Sequence, residues 1–175
     1  MNKNKIFIIL SLLGLGMVAR LMPHAPNFAP VAAIAIAASL CLSKKWAVIL
    51  PVAAMLLSDL LIGFYEWRLM AVVYLSFGLI GIFSWWLKKE GKIINVIATS
   101  LAASVFFFLT TNVAVWALSN WYAKTWVGLL FCLEMGLPFF RNTLVSDLVY
   151  TAVLCGGILA IREISKKRKL VKINN

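Results

Sequence analysis

Long apolar runs separated by short clusters of lysine and arginine follow one another along almost the whole chain, and this spacing restricts what it can become. With 175 residues, 63% of them hydrophobic, and a mean hydropathy of +0.95, a water-soluble domain of this size has too much apolar side chain to hide. The chain therefore reads as one all-α integral membrane domain, 1-175, with no soluble catalytic or nucleotide-binding domain. Six spans are expected, at about 6-22, 30-42, 46-64, 69-87, 93-118 and 141-161. The second is short for a bilayer that needs about 20 residues, so its beginning is expected to be buried in protein. Between the fifth and sixth, Ser119 to Phe140 mixes Trp121, Tyr122, Lys124, Trp126, Glu134 and Pro138 with an apolar middle too short to cross. It is read as an interfacial or re-entrant segment.

The formal charge of +11 is explained by the placement of the cations. Six spans put thirteen lysines and arginines on one face (Lys3, Lys5, Lys44, Lys45, Lys88, Lys89, Lys92 and the tail) and four on the other, Arg20, Arg68, Lys124 and Arg141. The positive-inside rule then places both termini in the cytoplasm. The basic tail, Arg162 to Asn175, is expected to be frayed and to lie near anionic lipid rather than nucleic acid. Lys3 and Lys5 ahead of an apolar core resemble a signal peptide, yet Arg20 and a proline cluster follow where a cleavage site should lie, so the segment is read as a retained span. Cys41, Cys132 and Cys155 form no CxxC pair, and neither disulfide, metal nor cofactor is expected.

Against this apolar background the stretch RLMPHAPNFAPVAA stands out. Pro23, Pro26 and Pro30 cannot continue a helix, and Arg20, His24 and Asn27 are polar. The alanine-rich helix that follows begins with unpaired N–H groups and the positive end of its dipole. Asp59 falls about one turn inside the same end of span 3. Asn112 and Trp116 share a face of span 5, and Thr143, Asp147, Tyr150 and Thr151 form a polar stripe on span 6. All are expected in the outer half of the membrane, with the inner half almost free of titratable groups. Such one-sided polarity suits a capture site open to the outside better than a path through the membrane. Trp67, Trp116, Trp121, Tyr122, Trp126, Phe139 and Phe140 fall at the same level and could stack on a ring.

Plainer roles are open to each residue. Asp59 can pair with Arg20 and Asp147 with Arg141. His24 can cap a helix, Trp121 and Trp126 can belong to an interfacial belt, and Glu134 can be an exposed anion. Ala33 with Ala37, and Ser100 with Ser104, suit close helix packing. No phosphate-cradling GxxxxGK[ST], H-E-x-x-H or G-x-S-x-G occurs, so neither ATP hydrolysis nor another enzyme activity is expected.

RLMPHAPNFAPVAA, SDLLIGF, TNVAVW and LPFFRNTLVSDLVYTAVL resemble a family of small, uncharacterised six-span bacterial membrane proteins linked with transport. That family is similar in turn to the substrate-binding S components of energy-coupling factor (ECF) vitamin transporters. The resemblance covers about Arg20 to Leu159. It implies a six-helix bundle that captures a vitamin-like small molecule from outside and delivers it by docking with a coupling subunit and two ATPases. It also implies site or scaffold roles for Arg20, His24, Asn27, Asp59, Asn112, Trp116, Asn142 and Asp147, to which the residue reading adds Glu134. Many S components have an A-x-x-x-A motif in span 1; here that span has only Gly14 and Gly16, and Ala33 and Ala37 of span 2 are the nearest match. The alternative class is a non-transporting scaffold or assembly protein whose outer aromatic face binds a protein partner.

Overall fold

The computed structural model describes residues 3–87 and 92–174, without the side chains of Leu87 and of residues 165–174. Lys88, Lys89 and Glu90 of the expected cytoplasmic cluster lie outside the described residues. Six helices and no strand make up the described chain: α1 (Lys3–Leu21), α2 (Val31–Cys41), α3 (Lys44–Ile62), α4 (Trp67–Leu87), α5 (Ile93–Leu118) and α6 (Trp126–Asn174). All but α2 are long and apolar enough to cross a membrane. Large apolar side chains such as Phe7, Leu10, Leu61, Leu75, Ile94 and Val153 face outward, a surface suited to lipid rather than water.

α2 is the axis of the bundle. It touches all five other helices, and every residue from Val31 to Leu40 is buried. An apolar helix of only 11 residues is too short to cross a bilayer alone, and its alanines let the surrounding helices close around it. Ala33, Ala37 and their neighbours are thus used inside the fold. The two ends of α2 differ. At its C-terminus Arg162 of α6 donates to the Leu40 carbonyl, as a cation near a helix C-terminus should. At its N-terminus Pro30 provides no side-chain cap.

Close approach of α3 and α4 follows from two residues that each lack something. Pro51 lies inside α3 and has no N–H, so the Ala47 carbonyl loses its partner one turn earlier. A Cβ at Gly81 of α4 would collide with that same Ala47 oxygen. Glycine instead points a hydrogen at it, and the weak C–H contact partly replaces the missing bond.

The largest departure from the expected layout is α6. The stretch read as interfacial or re-entrant is a turn over 119–125 followed by helix, which starts at Trp126 rather than Arg141 and continues through Pro138. Glu134, Pro138 and Arg141 are all exposed, and at i, i+4 and i+7 they share one face. The opposite face packs antiparallel on α5. The Cys132 thiol reaches the Asn112 carbonyl at 3.4 Å, Phe140 lies with its ring centroid 4.7 Å from that of Phe108, and Ser104 donates to Asp147 at 2.7 Å. A Cβ at Gly136 would strike the Asn112 side chain. Continuous burial of this face offsets the hydrogen bond lost at Pro138. Of the tail expected to fray, Arg162 to Asn174 is helical backbone, the last stretch of α6.

The register also corrects the expected depth of the polar stripe. Ser104, the partner of Asp147, lies near the midpoint of α5, and Ser100, paired with Thr151 at 3.2 Å, lies beyond it. Buried polarity therefore continues past the middle of the bundle, although as hydroxyls. Ser39, Ser84 and Thr99 return their hydroxyls to carbonyls of their own helices at 2.6 to 2.7 Å, which lets them sit among apolar neighbours.

Candidate functional site

The loop from Met22 to Pro30 joins α1 to the core helix. His24 is exposed and its ring nitrogens lie 2.7 Å from the Ala25 carbonyl and 3.3 Å from the Arg20 carbonyl, the helix-end role left open for it. Asn27 has φ 62°, a left-handed conformation that asparagine tolerates better than most residues. α6 fixes the loop from the side. The Asn142 amide donates to the Pro26 carbonyl at 3.1 Å and the Ser146 hydroxyl to the Ala29 carbonyl at 3.2 Å, while Phe28 and Tyr150 place their rings 6.0 Å apart.

Beneath this loop Arg20 turns into the bundle and forms an ion pair with Asp59, with a further contact to the Met55 sulfur. Asp59 is 1% exposed, and its second oxygen accepts the Tyr74 hydroxyl at 2.7 Å. Both carboxylate oxygens are therefore occupied, and the buried charge has the cation and hydrogen bonds that burial requires. The Arg20 Nε is buried without a hydrogen-bond partner among the described residues, a cost of about 1–3 kcal/mol that the pair has to exceed. Tyr65, in the α3–α4 connection, keeps 43% of its surface exposed, and its phenol is pushed up to about 12 by partial burial, helped by the Asp59 charge and opposed by Arg20. It remains a neutral hydroxyl at physiological pH.

A cavity of about 320 Å³ adjoins this pair. Arg20, Asn27 and Tyr65 contribute to its wall, Val73, Phe77 and Phe107 make an apolar side, and Thr143 and Asp147 come from α6. Ala29, Val31 and Ala32 bring the start of α2 to it. The N–H groups of Val31, Ala32 and Ala33 have no acceptor among the described residues, as the first turn of an uncapped helix leaves them. The positive end of the α2 dipole faces the cavity. Asp147 is only 3% exposed. One oxygen takes the Ser104 hydroxyl, and the other has no hydrogen bond among the described residues. It does not pair with Arg141, which is exposed on the face that carries Glu134 and Pro138.

Of the nine residues singled out from the sequence, Arg20, Asn27 and Asp147 line this cavity, and Asp59 touches it through Arg20. His24 and Asn142 shape the loop above. Asn112 and Trp116 lie elsewhere. The Asn112 amide donates to the Phe108 carbonyl at 2.8 Å in the seam against Gly136. The Trp116 indole donates to the Ala123 carbonyl at 2.9 Å, under the Lys124 ammonium 6.0 Å from its ring. Lys124 also binds the Trp116 and Ser119 carbonyls, so this group closes the α5–α6 turn. Glu134 is exposed on α6. Trp67, Trp121 and Trp126 are each more than two-thirds exposed and do not line the cavity. Sequence reasoning did not single out Tyr65, Val73, Phe77 or Phe107, which look like any other membrane-helix residues. Tyr74 had one signal: a phenol inside an apolar run needs a hydrogen-bond partner.

No curated protein and no solved structure matches the chain. Residues 1–170 match the family of unknown function DUF6580, and the chain belongs to that family.

Proposed function

We propose that this protein is the substrate-capture subunit of a micronutrient uptake system, similar in role to an ECF S component. It would cross the membrane six times with both termini in the cytoplasm, α2 completing its crossing within the bundle, and open its cavity to the outer side. Energy would come from separate ATPase and coupling subunits, since the sequence has no nucleotide-binding motif of its own. The observation that carries this reading is the cavity at the uncapped start of the core helix, where an apolar wall faces a buried carboxylate with a free oxygen. Its volume lies near the lower end of the 300–1,000 Å³ typical of ligand sites, which suits a vitamin-like molecule of one or two rings. The arrangement of cations along the chain supports the orientation.

The reading is tested by purifying the protein in lipid nanodiscs and screening vitamins and nucleobases by thermal shift, alongside uptake assays in cells that express it. Binding of one compound, lost together with its uptake in Asp147→Asn, is the expected result. Absence of any bound compound, together with unchanged uptake in Asp147→Asn, would overturn it.

A second reading draws on the exposed Trp121 and Trp126, which suit a scaffold protein with a partner-binding outer face. Their equal fit to an interfacial aromatic belt leaves it second. Photo-cross-linking from those two positions to a single protein, with an empty cavity, would reverse the order.

A further inference from the structure

Charges around the cavity do not cancel within the described residues. Arg20 and Asp59 neutralise each other. Tyr65 and Tyr74 are hydroxyls, and α2 and α5 present no charged side chain to the space. Asp147 is left with a single neutral donor, the Ser104 hydroxyl, and an oxygen without a partner. The start of α2 provides the opposing influence, but a helix dipole is equivalent to about half a charge at its end and a carboxylate to a full one. With Asp147 ionised the balance is negative, a state that a buried carboxylate holds only where something supplies a cation.

Building on the capture reading, we propose that the ligand is an organic cation, a protonated amine, amidine or ring nitrogen base, whose positive nitrogen sits on Asp147. The free N–H groups of Val31 and Ala32 receive an acceptor atom on the same molecule. Its apolar body packs against Val73, Phe77 and Phe107. A cationic donor to a carboxylate gives one of the stronger hydrogen bonds available to a small ligand, and the surrounding apolar wall keeps water from competing with it.

The test uses the full chain in nanodiscs with Thr143→Cys, one helical turn from Asp147 on the same wall. Three thiol reagents are compared: a trimethylammonium-ethyl and a sulfonato-ethyl methanethiosulfonate, and the smaller, uncharged methyl methanethiosulfonate. The wild-type chain, in which Cys132 and Cys155 are buried and Cys41 is half-buried, sets the background. After correction for each reagent's rate on a free thiol, the cationic reagent should label the cavity about tenfold faster than the anionic one, and benzamidine should slow that labelling more than benzamide does. Adding Asp147→Asn should remove the preference. If that double variant does not fold, the ratio in the Thr143→Cys chain alone decides.

Equal corrected rates for all three reagents would overturn the cation assignment while leaving an open cavity and the capture reading intact. Failure of even the uncharged reagent to reach the cysteine would overturn both.

Discussion

Asp59 and Asp147 are both carboxylates almost wholly removed from solvent, yet their surroundings are opposite. Asp59 is surrounded by Arg20 and Tyr74, which use both of its oxygens. Asp147 has one hydroxyl and a free oxygen beside a cavity. The first arrangement fixes α1, α3 and α4 to one another and leaves nothing for a ligand to take. The second contributes little to holding helices together and leaves an acceptor open. Burial by itself therefore does not mark a binding residue in this bundle; the number of unused hydrogen-bonding positions does.

The largest effect expected from this contrast is on stability. Asp59→Ala leaves the Arg20 guanidinium without its anion and should cost about 3–5 kcal/mol, measured by reversible unfolding in mixed micelles. Removing both partners with Arg20→Ala should recover part of that loss. Asp147→Ala should cost about 1 kcal/mol or less, because the lost hydrogen bond from Ser104 is offset by relief of a buried carboxylate that has no cation. Equal costs for the two aspartates would break the comparison.

Next comes ligand binding, where the order should reverse. Asp147→Asn should weaken binding by about ten- to a hundredfold, the equivalent of one charged hydrogen bond, read by isothermal titration. Ser104→Ala should weaken it less, since the carboxylate stays in place and loses only a neutral donor. Tyr74→Phe leaves one buried Asp59 oxygen without its donor, and should cost about 1–3 kcal/mol of stability and leave affinity unchanged.

The smallest effect concerns Tyr65, whose phenol ionises near 12 in the fold and near 10 in an unfolded chain. The neutral form is favoured by folding, so its contribution is fully present below about pH 10 and is lost as pH rises toward 12. The difference between wild-type and Tyr65→Phe ultraviolet absorbance, titrated through that range, should show one late phenolate. A midpoint near 10 would mean that Asp59 and burial do not act on it as described.

Much of this arrangement was legible in the chain because apolar length is a strong signal. Residues 93-118 were read as a span and are α5, and the short run after Pro30 was recognised as one that needed protein around it, as α2 has. The start of α6 was missed because Glu134, Pro138 and Arg141 interrupt the apolar run. Their shared face, i, i+4 and i+7, was the signal that the helix continues behind them. At the site, Arg20, Asn27 and Asp147 were conspicuous because polar groups are rare here. Asn112 and Trp116 were equally conspicuous, but they seal the α5–α6 hairpin. Polarity in a sequence identifies groups that need partners, and only the packing of α5 on α6 decides whether the partner is a neighbouring carbonyl or an open cavity. Phe77 and Phe107, with ring centroids 4.7 Å apart, form the apolar wall without any feature that distinguishes them from core.

The most direct test of the account is native mass spectrometry of wild-type and Asp147→Asn protein expressed in the same cells and released gently from the membrane. The account predicts one small-molecule adduct on the wild type and a marked loss of it in the variant, with both proteins equally folded. An adduct of the same mass and occupancy on both, or none on the wild type after growth on complete medium, would contradict it.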